Sequence, residues 1–182
     1  MHPRTGMRNA INFDLGTPTL GGNTNFYKVT VDTIKYTPLF WDTRHSIRGR
    51  FGTVESVGDR PVPLTELYFV GGINTMRGFS FGRAGPVTPD HSLLGASREI
   101  IINNDFIFPI SNEAKLNGVI FFDYGKGFGA GESLSFNLRK AAGIELRWIS
   151  PFGPLRVAYG FNLDPQEGER KGVFEFSVGS LF

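Results

Sequence analysis

The sequence predicts an all-β fold: an antiparallel up-and-down transmembrane β-barrel of about eight strands, or half of a larger barrel. Three observations predict it. Apolar residues recur at every second position along most of the chain, the period of a β-strand. Most of these runs are ~9–14 residues long, beyond the ~5–6 usual in globular sheets and suited to a tilted membrane crossing. Finally, Phe, Trp, Ile and Leu occupy one face of the runs and Gly, Ala, Arg, Asn and Glu the other. An apolar exterior around a polar interior is the pattern of a membrane barrel rather than of a soluble sandwich or cup.

Near the N-terminus, Ile11, Phe13 and Leu15 form one strand face, Tyr27, Val29 and Val31 a second, and Ile47, Gly49 and Phe51 a third. Leu67 and Phe69 mark a short ninth candidate strand over residues 67–71. Ile100, Ile102, Asn104, Phe106 and Phe108 oppose Glu99, Ile101, Asn103 and Asp105. Leu116, Gly118, Ile120, Phe122 and Tyr124 oppose Asn117, Val119, Phe121 and Asp123. Leu138, Lys140, Ala142, Ile144, Leu146 and Trp148 oppose Arg139, Ala141, Gly143, Glu145 and Arg147. Leu155, Val157, Tyr159 and Phe161 alternate with Arg156, Ala158, Gly160 and Asn162, and Phe174, Phe176, Val178 and Phe182 share the outer face of the last run. Small residues crowd the inner faces at Ala141, Gly143, Ala158, Gly160 and Gly179. Trp148, Tyr124, Tyr159 and Phe161 suit the interfacial aromatic belts.

The breaks support a meander. Ser150-Pro151-Phe152-Gly153-Pro154 is a tight turn, because Pro fixes φ and Gly tolerates positive φ. Residues 164–171 are polar, like the exposed end of a hairpin, and residues 17–25 and 125–133 are glycine-rich links. Residues 71–94 form one long loop, a length more often functional than decorative. An even strand count permits closure, whereas an odd count would leave the first and last strands parallel.

The 182 residues suffice for a single domain over 1–182. With no Cys, there is neither a disulfide scaffold nor a thiolate metal site. A net charge of +2, without a clustered basic stripe, argues against a nucleic-acid partner. No apolar run reaches the ~18 residues of a transmembrane helix, but hydropathy is blind to strands that alternate. Met1-His2-Pro3-Arg4-Thr5-Gly6 has no hydrophobic leader core. His2, His45 and His91 are dispersed without metal-ligand spacing, Gly-x-Gly-x-x-Gly does not occur, and no Ser lies in a nucleophile elbow, because Gly78-Phe79-Ser80-Phe81-Gly82 sits in a glycine-rich loop with no helix after it. The expectation is no catalytic residue, no metal, no cofactor and no enzyme activity.

The long loop opens with Gly71-Gly72-Ile73-Asn74-Thr75-Met76-Arg77-Gly78-Phe79. It is either an exposed hairpin tip or a plug folded into the barrel. Folded inward, Arg77 needs carboxylates, since an unpaired buried charge is costly, and its planar fork binds acids in fixed geometry. Glu99 and Asp123 lie on the inner face of the next two strands and are its candidate partners. Gly78 permits the tight backbone that presents Arg77, and Phe79 can anchor the tip in an apolar niche. The aromatic alternation of Phe174, Phe176, Val178 and Phe182 suits recognition by strand addition.

Three stretches resemble the BamA family of outer-membrane assembly factors, which also includes TamA and organelle homologues. Met76-Arg77-Gly78-Phe79 is similar to that family's Val-Arg-Gly-Phe/Tyr motif, with Met in place of Val. Phe121-Phe122-Asp123-Tyr124-Gly125 is similar to its aromatic-Asp-x-Gly strand. Residues 139–159 resemble its penultimate hairpin, with the pattern Gly-x-x-x-x-Trp-x-Ser-Pro-x-Gly-Pro-Leu. The resemblance covers nearly the whole chain but only half of the family's sixteen-stranded barrel, without the periplasmic POTRA domains. It implies a loop that enters the barrel, with its arginine on acids of the following strands, and a C-terminal strand that acts as an assembly signal. It also implies a bacterial outer-membrane location among outer-membrane lipids, client β-barrel proteins and partner lipoproteins. Three readings follow: an insertion factor, a small structural eight-stranded barrel, or a pore made when two copies form a homodimer through their strand edges.

Overall fold

The computed structural model describes residues 5–17, 25–58, 60–151 and 153–179. They contain eight strands: β1 (Gly6–Gly16), β2 (Phe26–Pro38), β3 (Arg44–Ser56), β4 (Arg98–Ser111), β5 (Leu116–Phe128), β6 (Arg139–Ser150), β7 (Gly153–Asn162) and β8 (Gly172–Val178). All lie in one sheet in sequence order, each antiparallel to the next. The even count makes β1 and β8 run in opposite senses, and no ladder joins them among the described residues. Among the described residues the sheet is therefore an open meander.

Period two governs what each strand buries. On β4, Glu99, Ile101, Asn103, Asp105 and Ile107 are buried in alternation. On β5, Val119, Phe121 and Asp123 are buried while Ile120 and Phe122 face out. On β6 and β7 the buried set is Arg139, Ala141, Glu145, Arg147, Arg156, Ala158 and Asn162, with Ile144, Leu146, Trp148, Tyr159 and Phe161 exposed. Bulky apolar side chains on the outer face and charges on the inner one fit hydrocarbon outside and a polar lumen inside.

The concave face is covered by the connection between β3 and β4. Residues 67–71, expected as a ninth strand, are part of it. Only an isolated bridge between Tyr68 and Ala96 forms there. Gly71 and Gly72 take φ of +130° and +102°, outside the strand region, so the chain turns rather than extends. The alternation of Leu67 and Phe69 reflects Tyr68 and Val70, which are buried under the sheet. Gly179, expected on an inner strand face, lies past the end of β8 at φ +88°.

The small inner residues have a packing reason. A Cβ on Gly160 would stand 2.5 Å from the Gly78 nitrogen and 2.6 Å from its Cα. A Cβ on Gly78, itself at φ +84°, would meet Ala141 Cβ at 3.0 Å. Loop backbone lies directly on strand backbone here, and no larger side chain fits between them. Val70, Met76, Phe79, Ala84, Ile101 and Ala141 close the resulting apolar cluster. On the opposite side, Ile73 packs against the cluster containing Ile34, Tyr36 and Ile107. β1 has no buried residue and stands apart from this core.

Candidate functional site

The loop tip is a closed turn. The Gly72 N–H donates to the Met76 and Phe79 carbonyls at 3.1 and 2.9 Å, and the Gly71 N–H donates to Thr75 Oγ1 at 2.9 Å. This geometry drives Arg77 into the sheet, where it is 2% exposed. Its backbone N–H and Nε both donate to Asp123 Oδ2 at 2.9 Å, and Nη2 donates to Asp123 Oδ1 at 2.7 Å. Nη2 also donates to Asp105 Oδ1, and Nη1 to Glu145 Oε2, each at 2.6 Å. The guanidinium plane sits 3.9 Å from the Phe121 ring centre.

Two further arginines complete the hub. Arg147 donates to Asp105 Oδ2 at 2.7 Å and to Glu145 Oε1 at 2.9 Å, and Arg156 donates to Glu145 Oε1 at 2.6 Å. Arg147 and Arg156 are direct cross-strand partners, a pairing that repels unless an acid lies between them. Glu145 supplies that acid. Three guanidinium groups thus face three carboxylates, so the charges cancel within the cluster. Arg156 also donates to the Ile73 carbonyl at 2.9 Å, Arg48 to the Asn74 carbonyl at 3.2 Å and Asn103 to the Thr75 carbonyl at 2.8 Å. The loop is therefore pinned from both sides of the sheet.

Among the expected site residues, Met76, Arg77, Gly78 and Phe79 lie together on the concave face, and Asp123 meets Arg77. Glu99 does not join them. It lies four residues from Asn103, the register partner of Asp123, which is about 13 Å along a strand at ~3.3 Å per residue. Glu99 pairs instead with Arg50, at 2.7 Å. Period two had placed Asp105, Glu145, Arg147 and Arg156 on the same inner faces. What it lacked was the register that puts them level with the loop tip. Phe174, Phe176 and Val178 point outward from β8, at 66%, 59% and 58% exposure, and Phe182 lies outside the described residues.

A second cluster sits at the outer end of β6. Arg139 donates to both Glu169 carboxylate oxygens, at 3.1 and 2.6 Å, and to Asp164. Burial pushes the Glu169 carboxyl up. The Arg139 fork and the Gln166 N–H outweigh it and hold the group below the usual carboxylate value. No group of three or more acids or histidines with metal-binding geometry occurs among the described residues.

An apolar-out, polar-in meander with an inward arginine loop defines the wall of a transmembrane β-barrel with a loop folded against its inner face. The Omp85 superfamily domain matches residues 1–182, and the chain belongs to that superfamily. It is 34% identical over 176 residues to the outer membrane protein assembly factor BamA of Nitratidesulfovibrio vulgaris, covering 93% of this chain and 22% of that protein. The Neisseria meningitidis BamA is 22% identical over 213 residues, covering 99% of this chain and 26% of the relative. The chain thus spans about a quarter of the length of these curated relatives, whose names are those of assembly factors rather than enzymes. The crystal structure of Haemophilus ducreyi BamA lacking POTRA domains 1–3 superposes with a TM-score of 0.81 at 26% identity, covering 98% of this chain and 39% of that one.

Proposed function

We propose that this chain is the plug-bearing half of an outer-membrane assembly-factor barrel, which assists client β-barrel proteins in folding and inserting. The observation that carries this reading is the inner sheet face filled by the Arg77 hub, with β8 turning Phe174, Phe176 and Val178 outward. A free edge offers unpaired N–H and C=O groups to an incoming strand, so a client hairpin satisfies its backbone before it meets lipid. Nothing in this mechanism requires bond chemistry. The location that follows is the bacterial outer membrane, with its lipids against the exposed Phe and Ile face. Phe174, Phe176 and Val178, with Phe182, serve as the strand signal, and Arg77 with Asp123 holds the plug. Partner lipoproteins belong to the longer proteins that this chain resembles. The test is reconstitution into liposomes of outer-membrane lipid with an unfolded client barrel, scored by heat-resistant migration of the folded client. Faster folding than in empty liposomes is expected, and equal rates sink the reading.

The opposite senses of β1 and β8 favour a second arrangement. Two copies can pair β1 to β8 at two identical antiparallel seams, giving a sixteen-stranded ring. Its mass in detergent and its conductance in a planar bilayer distinguish it from a single copy.

A further inference from the structure

We propose that Arg139 couples the tip of the inward loop to the final hairpin, so that the loop and β8 hold or release together. Arg139 opens β6 and is buried. Its guanidinium lies 4.8 Å from the Phe79 ring centre and so stacks on the loop tip. The same group forks onto Glu169 at 3.1 and 2.6 Å and donates to Asp164 Oδ2 at 3.3 Å and to the Asp164 carbonyl at 3.0 Å. Asn162 Nδ2 and the Gln166 N–H each donate to Glu169 at 2.9 Å, which fixes the carboxylate that Arg139 grips.

Packing joins the loop tip to β7, where Gly78 lies on Gly160, but not to the connection between β7 and β8. A cavity of about 260 Å³ is lined by Phe79 and Arg83 of the loop and by Asn162, Gly168 and Val173 of the hairpin. The remaining ties of the loop to that connection and to β8 are thin. His91 lies over Gly168 at the surface, and the Gly78 N–H reaches Glu175 of β8 at 3.4 Å. Arg139 supplies the short, charge-assisted contacts across the gap. A planar guanidinium can stack with its face and fork with its edge at once, which an ammonium cannot. The coupling does not depend on insertion activity.

Hydrogen exchange by mass spectrometry on the protein in micelles tests it. Arg139→Lys is expected to raise exchange about tenfold or more in residues 72–82 and in residues 163–175 together, while β4 and β5 stay protected. Phe79→Leu removes the stack but leaves every hydrogen bond of Arg139 to the hairpin. It is expected to raise exchange in residues 163–175 as well. A change confined to the hairpin in Arg139→Lys, or confined to the loop in Phe79→Leu, overturns the proposal. Should Arg139→Lys fail to fold, Glu169→Gln keeps the stack and weakens the fork. It is expected to loosen both segments, and loosening of the hairpin alone overturns the coupling.

Discussion

Asp123 receives three hydrogen bonds from Arg77, one of them from the backbone, so this single carboxylate fixes both the loop's path and its side chain. Removing Arg77 leaves Asp123 buried without its ion-pair partner, and removing the Asp123 charge leaves the hub with one cation in excess. Arg77→Ala is expected to cost about 3–5 kcal/mol in a denaturant titration and to expose residues 71–94 to protease. Asp123→Asn should lie in the same direction. Glu99→Gln should cost about 1 kcal/mol or less, because its partner Arg50 is 27% exposed and can be solvated. Equal losses at Asp123 and Glu99 would contradict the hub as described. Glu169 gives a pH prediction at the same scale. Its carboxyl is held below its ordinary value in the fold, so its contribution is present above that ordinary value and is lost as pH falls through the lowered one. Acidification below about pH 4 should raise hydrogen exchange in residues 163–171 before it affects β4 and β5.

At the scale of elements, the loop and the strands behind it fit only because particular positions carry no side chain. Gly160→Ala places a methyl group within 2.5 Å of loop backbone, and about 1–3 kcal/mol of overpacking cost is expected, read as a lower denaturation midpoint. Gly49 faces outward on β3 with nothing within 4 Å, so Gly49→Ala should stay within about 0.5 kcal/mol of the parent protein. The strands themselves were legible in the sequence, since alternation alone assigns Asp105, Asp123, Glu145, Arg147 and Arg156 to one face. Register was not, because period two is indifferent to sliding by two residues. Glu99 and Asp123 therefore looked equivalent until the β4–β5 ladder separated them. Residues 67–71 misled for a related reason. Their alternation comes from burial beneath the sheet, while the positive φ at Gly71 and Gly72 is set by the loop's own hydrogen bonds. The inward path of the loop was legible chiefly through its resemblance to a known motif.

At the scale of the whole molecule, the loop touches strands from β2, through Ile73 on Ile34, to β8, through Gly78 on Glu175, and leaves β1 outside. Heating in detergent should therefore release β1 protection first, with β4 to β6 losing theirs together at higher temperature. In a planar bilayer, a single copy should conduct weakly while the hub is intact, and Arg77→Ala should raise conductance. The hub also has a consequence in time. Its acids at positions 105, 123 and 145 follow Arg77 by 28, 46 and 68 residues, and the Glu175 contact with Gly78 spans 97. A ribosome therefore delivers the cation well before any of the anions that will hold it, and the last contact waits for a residue 97 positions after Gly78. Contacts of such long separation form slowly, because a large loop must close before any reward is felt. The nascent chain thus carries an arginine whose partners are still to come, and this segment cannot settle into lipid hairpin by hairpin. It must wait, kept in solution, and commit in a single late step.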